Sequence, residues 1–351
     1  MLLVPAPRGI AVQVQGPSLA GSLLMPEQDG ATIAGRFDRL YWRMPERVPR
    51  TSTPAAAARV AGASTLDPAN IPPLLFDVGD LRIGDASLGT ARFRSTPTAA
   101  GLRMDEFVAR SPRQRLVANG IWSGRGAMAR TQLALDVETD DIGALLAGLG
   151  IGGQVAGGKG ALGMDASWRG GPEALDPNSV QATLELDARD GRLLELEPGA
   201  GRVLGLLGIA QLPRRLTLDF RDFFEKGFAF DSIRGDVRLS GGSARTDNLA
   251  IKGPAADINV RGSTDLRTQV FDQTVEVLPK SGGLLTAVGA IAGGPVGAAV
   301  GAMANAVLEK PLQGLGARTY RVTGPWQAPK VDVSARGASI QRKSAGEKPP
   351  G

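Results

Sequence analysis

Two groups of residues have the types and spacing that chemistry would need. Gly158-Lys159-Gly160-Ala161-Leu162-Gly163 matches the GxGxxG pattern of dinucleotide sites. That pattern works when a helix N-terminus follows the glycines and faces the pyrophosphate. Here Leu162, Met164, Ala166 and Trp168 alternate with period two, as a strand does. Dinucleotide binding is therefore not expected. Asp219, Asp222, Glu225 and Asp231 cluster around the stretch FRDFFEKGFAFD. Their spacing is not that of a calcium loop, and on a strand some must diverge, so they read as surface or turn carboxylates. There is no GxSxG elbow and no Walker lysine.

The absences carry more weight. The chain has no cysteine and no histidine. It thus lacks thiolate nucleophiles, disulfides, the commonest general base and the commonest transition-metal ligands. No enzyme, catalytic residue, metal or cofactor is expected. A carboxylate glycosidase would need two facing acids in an aromatic cleft. Two tyrosines and the scattered Trp42, Trp122, Trp168 and Trp326 do not suggest one. Lysine and arginine exceed aspartate and glutamate by 40 to 35. A surplus of five reads as a mixed solvated surface, with attraction to an anionic lipid or nucleic acid as the alternative. No basic-aromatic platform points to nucleic acid. Met1–Ile10 lacks the charged start and apolar core of a signal peptide.

The elements that would position any site are strands. The 48 glycines and 24 prolines fit many short strands joined by turns. The longest such stretch runs from Arg214 to Lys280, through Phe228 and Phe230, then Ile233, Val237 and Leu239, then Leu249, Ile251, Ile258, Val260, Phe271, Val275 and Val277. The change of parity near Asp231–Ser232 predicts a bulge. Residues 1–48 read as the end of a preceding β-segment, 49–73 as a Pro/Ala/Ser/Thr-rich linker, and 74–196 as β-repeats with a short helix over IGALLAGLG after Asp140–Asp141. Residues 197–335 form a further β-segment with a short helix opening at Pro198, and 336–351 a disordered basic tail. Asp105–Gly120 aligns without gaps on Asp247–Gly262, and the Pro-to-Gly spacing recurs at Pro329–Gly337. That is a repeated strand–turn–strand unit, which favours an elongated sheet over a compact barrel.

Leu284–Leu308 stands apart, with 25 residues and no charge. Gly293-Gly294-Pro295 should break it, so a Gly/Ala-rich helical pair is expected at 282–310. The pair either packs on the sheet end or touches a membrane; a single spanning helix is the third option. Leu284, Leu285, Val288, Ile291, Val296, Val300, Met303 and Val307 would form its apolar faces.

FDRLYW at 37–42, the block from Leu193 to Leu239, ARTDNLAIKGPAADINVRGSTDL at 244–266, DQTVEVLPK at 272–280 and the Gly/Ala-rich segment ending in LEKPL resemble the C-terminal part of the YhdP family. These are AsmA-like proteins of Gram-negative envelopes. The resemblance implies a bridge-type lipid-transfer protein, with an inner-membrane helix before a long periplasmic β-groove that carries phospholipids toward the outer membrane. The anchor and most of the groove are missing from this chain, so it is expected to be a C-terminal portion on the periplasmic side. Its partners would be phospholipids and the outer-membrane surface or a protein there. The resemblance supplies no catalytic residue.

The expected fold is mainly β: an elongated, curved, antiparallel, groove-like sheet with a few short helices. An uncovered apolar face would hold acyl chains at about 0.8 kcal/mol per buried CH₂. The candidate lining is Phe228, Phe230, Val237, Leu239, Ile258, Val260, Phe271, Val275 and Val277. The alternative is a structural or adhesive β-repeat protein in which the same residues form a dry core.

Overall fold

A segment whose side chains alternate apolar and polar must bury one face, and these segments do so side by side in one sheet. The computed structural model describes residues 2–43, 66–175, 179–194, 228–280, 317–326 and 328–334. The first strands are β1 (Leu2–Ala6), β2 (Gly9–Gln15), β3 (Leu19–Pro26), β4 (Ile33–Trp42), β5 (Leu74–Ile83), β6 (Ala86–Thr98), β7 (Gly101–Arg110) and β8 (Gln114–Ser123). After them come β9 (Arg130–Thr139), β10 (Val155–Arg169), β11 (Gln181–Leu193), β12 (Phe228–Ser240) and β13 (Ser243–Lys252). The last are β14 (Ala256–Asp265), β15 (Val270–Pro279), β16 (Arg318–Pro325) and β17 (Lys330–Ser334). Among the described residues one α-helix, α1 (Ile142–Gly148), lies between β9 and β10.

Each strand pairs with the one before and the one after it in sequence, from β1 to β17. This is the expected long meander. At about 4.8 Å per strand it extends roughly 75 Å across its strands. One pair departs from the antiparallel expectation: β4 and β5 run parallel, from Ile33↔Leu74 to Trp42↔Ile83. A short turn cannot join parallel neighbours, and residues 43–73 separate these two strands in sequence. Their described end holds a 3-10 turn at Pro68–Asn70 with Pro68 buried.

The sequence repeat is a repeat of backbone geometry. In β7 the register shifts between Met104 and Phe107, against both neighbours. In β13 it shifts between Thr246 and Leu249. Each strand carries one extra residue there, a β-bulge, at the Asp-Glu and Asp-Asn pairs that open the two repeats. Arg103 pairs with Asp105 at 2.6 Å, and Arg245 with Asp247 at 2.9 Å. The residue before each bulge faces a glycine, Met104↔Gly120 and Thr246↔Gly262. A Cβ on either glycine would come within 2.3 Å of Gln132 O or 2.4 Å of Asp272 O in the next strand.

The bulge expected at Asp231–Ser232 is not there. Pairing between β11 and β12 runs in one register through Arg189↔Ser232 and Gly191↔Phe230. The change of parity is real, since Phe230 and Ile233 are both buried on the same face. It is absorbed by local kinks in the adjoining strands: Asp190 has φ +54°, Gly157 +61° and Gly158 +84°. The strands turn together, so no residue is left over.

Helix α1 starts as the sequence predicts. The Asp141 carboxylate accepts from the Ala144 N–H at 2.9 Å, capping an otherwise unpaired donor. At the other end the Asp85 N–H donates to Gly148 O at 2.7 Å, tying α1 to the β5–β6 turn. Glycine allows close approach on both sides: a Cβ would lie 2.7 Å from Val155 O at Gly143, and 2.7 Å from the Ala86 backbone at Gly148. Gly148→Val is expected to lift α1 from β6 and lower stability by about 1–3 kcal/mol. Urea unfolding would read this, and an unchanged midpoint would mean that the helix is not held there. The Pro198 helix, the 282–310 pair with all its named apolar residues, and Gly337 lie outside the described residues.

Candidate lipid-binding face

The two sides of the sheet differ in chemistry along its length. One side carries ion pairs within and between strands: Arg92–Asp77 at 2.9 Å, Arg189–Asp187 at 3.1 Å, Arg234–Asp187 at 3.1 Å and Arg82–Asp80 at 3.1 Å. Such exposed pairs add little stability. Their consequence is a hydrated back. The GxGxxG stretch lies inside β10, and Asp231 is exposed on β12. Asp219, Asp222 and Glu225 lie outside the described residues. Among the described residues no group of acids is arranged to hold a metal, and no helix is long and apolar enough to cross a membrane.

Several carboxylates on this back sit below the usual range. Asp80 is lowered by a hydrogen bond from Tyr41 (2.6 Å) and by Arg82. Asp187 is lowered by Arg189 and then Arg234. Asp265 is lowered by the Thr268 and Arg267 backbone N–H groups. Burial pushes Asp105 up, but the Thr96 hydroxyl and Arg103 outweigh it and bring it down. A depressed folded pKa means that stability is present above the unfolded value and lost as pH falls through the folded one. Melting temperature is expected to be level from neutral pH to about 5 and to fall below about 4, the unfolded aspartate value. A chain that melts at the same temperature at pH 3 and pH 7 would contradict this.

The other side is apolar, and register lines its residues up across strands. One row runs Phe76↔Phe93, Phe93↔Phe107, Phe107↔Ala118, Ala118↔Leu135, Leu135↔Met164, Met164↔Leu184 and Leu184↔Val237. At one end it is an aromatic ladder, with Phe37 edge-on to Phe76 at 5.9 Å and Phe76 stacked on Phe93 at 5.8 Å. The large side chains of this row are half-buried. From β12 to β16 the same face is sealed. Leu249, Val260 and Val275 are 0% exposed, and Tyr320 1%. Trp326 closes the far end, stacked on Phe271 at 5.9 Å with its indole N–H donating to Thr264 Oγ1 at 2.7 Å.

The candidate lining residues fall on this one face but in two settings. Phe228, Phe230, Ile258, Val260, Phe271, Val275 and Val277 are buried together in the sealed cluster. Val237 is half-buried, and half-buried Leu239 packs beside the separate cluster of Ala166, Trp168, Val180 and Ala182. Most of the half-buried wall lies earlier in the chain, at Phe76, Phe93, Phe107, Leu135, Met164 and Leu184, which the sequence marks as strand residues without distinguishing them as lining. The aromatic run at one pairing level was the signal available, but it becomes visible only once the register is known.

A family model described as YhdP protein matches residues 3–331. The chain belongs to the YhdP family. Among curated proteins it is 30% identical over 224 residues to the intermembrane phospholipid transporter YhdP of Escherichia coli (strain K12). That match covers 63% of this chain and 18% of the relative, so the chain spans less than a fifth of the YhdP protein it resembles. No solved structure matches. The YhdP match takes in both bulged hairpins and the whole half-buried wall, so the apolar face lies within the family region.

Proposed function

We propose that this chain is a non-catalytic lipid-transfer module. Phospholipid acyl chains lie on the apolar wall between β4 and β12 and move along the row from strand to strand. The observation that carries this reading is the half-buried apolar row, continuous across strands and backed by a charged, hydrated side. Such a surface solvates hydrocarbon without specific polar contacts, at about 0.8 kcal/mol per CH₂. The transporter relative supports phospholipid as the cargo. On this reading the module is part of a periplasmic bridge between the inner and outer membranes, anchored through a region outside this chain. Its partners are phospholipids and the outer-membrane surface or a protein there. The sealed cluster of β12–β16 is the closed end of the wall, and Val237 and Leu239 stand at its mouth.

A structural β-repeat role with a dry core is favoured only by that sealed cluster, which is confined to one end of the sheet. Native mass spectrometry of the purified chain separates the two readings. Phospholipid adducts that are lost when Phe93 is replaced by aspartate are expected. A folded chain with a clean mass that takes up no added phospholipid would favour the structural role.

A further inference from the structure

We propose that Ser95 and Trp122 form the subsite for the ester groups of a bound phospholipid. The inference rests on the lipid-transfer reading and says which end of the lipid meets which side of the wall. Register gives the apolar face a gradient along its strands. The level that packs on α1 is aliphatic: Val78, Ala91, Ala109, Leu116 and Val137 pair across β5 to β9. Leu145 of α1 is buried in one cluster with Val78, Ala91 and Ala109, and Leu116 and Val137 pack against that cluster. The row of Phe76, Phe93 and Phe107 comes next. Two residues beyond Phe93 on β6, Ser95 stands between Leu74 and Met104. Met104 faces Gly120, and the level after it sets Trp122, Thr131 and Trp168 side by side. Across these four levels, hydrogen-bonding side chains enter at the two farthest from α1.

Ser95 and Trp122 keep unused donors there. Among the described residues neither Ser95 Oγ nor Trp122 Nε1 has a hydrogen-bond partner, and both atoms are buried. Ser95 as a whole is 1% exposed. Their neighbours are committed: the Thr131 hydroxyl donates to Gly170 O and the Trp168 indole N–H to Gly171 O, each at 2.9 Å. Thr246 and Tyr320 also have an unpartnered oxygen, but they lie on β13 and β16, where the face is sealed. A buried donor left unpaired is costly, so such groups normally have a partner. An ester carbonyl only accepts and an indole N–H only donates, so the two are complementary. Met104, which flanks Ser95, is unbranched and can move aside for a ligand. The lengths agree as well. Leu116 and Trp122 are six residues apart on β8, about 20 Å, and Ala91 and Ser95 are four apart on β6, about 13 Å. One leaflet of bilayer hydrocarbon is about 15 Å thick. A lipid whose methyl ends rest by α1 therefore has its ester groups at the Ser95 and Trp122 levels.

The test compares two phosphatidylcholines with the same hydrocarbon chains, one joined through ester links and the other through ether links. Retention by the full chain is read from native mass spectra. The wild type is expected to retain the ester lipid about tenfold better, because the ether lipid lacks the carbonyl acceptors. In Ser95→Ala/Trp122→Phe the ratio falls to near one, while the ether lipid is still retained. Ser95→Ala alone lowers the ratio and leaves the melting temperature level or higher, since no internal hydrogen bond is lost. A lower melting temperature with the ratio unchanged would mark Ser95 as structural and overturn the subsite. Equal retention of both lipids by the wild type, or an ester preference that survives in both variants, overturns it too and makes water the partner of the two donors. Retention of neither lipid overturns the groove reading itself, and the subsite falls with it.

Discussion

Val275→Asp will unfold the C-terminal part of the sheet. Val275 is 0% exposed and sits between Val260 and Tyr320 in the register of β14, β15 and β16. Its neighbours on that face include Leu249, Ile258 and Val277, and among the described residues no lysine or arginine is buried. A carboxylate placed there would lose its hydration without gaining a partner. In practice such a group either stays protonated or opens the structure, and the cost reaches about 4–5 kcal/mol, a large part of the 5–15 kcal/mol that holds a domain together. The urea midpoint should collapse, and amides of β13 to β16 should exchange together. The expectation separates two views of the cluster. If it were a wet, open groove wall, the aspartate would remain hydrated and the midpoint would barely move.

Phe93→Asp is expected to do the reverse: leave the chain folded and remove its lipid. Phe93 is half-buried, stacked on Phe76 at 5.8 Å and level with Phe107 across β7. A carboxylate here can reach water, so the loss is mainly of packing, about 3 kcal/mol or less given partial burial. An acyl chain crossing this point would meet a charge in place of a ring. Several methylenes would lose their apolar contact at about 0.8 kcal/mol each, so lipid retention should drop well over tenfold. The measurement is the lipid-to-protein ratio in native mass spectra, alongside a melt that shows the variant still folds cooperatively. Val237→Asp, further along the same row, should behave alike. Lipid that stays bound to both variants would place the cargo somewhere other than this wall.

The two substitutions differ because the apolar face has two regimes. The repeated bulged hairpins make the comparison direct. In the first copy Phe107 and Leu116 are half-buried, and in the second Leu249 and Ile258, at equivalent positions, are 0% and 2% exposed. The same local frame thus serves as wall in one place and as sealed core in another. In the glycine-centred triad Met104–Gly120–Leu133 of the first copy, the second has Thr246–Gly262–Gln273. Polar residues enter the inner face where it is closed.

Much of this protein was legible from its residues one strand at a time. Period-two alternation located the strands, because each strand's side chains point to opposite faces whatever its neighbours are. The Asp141 cap predicted α1, since capping is a local hydrogen bond. The repeat at Asp105 and Asp247 was visible as matched letters, and the missing histidine and cysteine narrowed the chemistry. What only the tertiary structure decided depends on neighbouring strands. The bulges fall at 105–106 and 247–248 because a bulge is defined by the register of two strands together. The parity change at 231 needed no bulge, because Asp190, Gly157 and Gly158 kink alongside it. The parallel β4–β5 pair is a matter of strand direction, which alternation within either strand does not encode. Above all, alternation says that Phe93 and Val275 both face inward, but not which of them meets solvent. Exposure is set by what the folded sheet brings over each position, and that is a property of the whole curved sheet rather than of either strand.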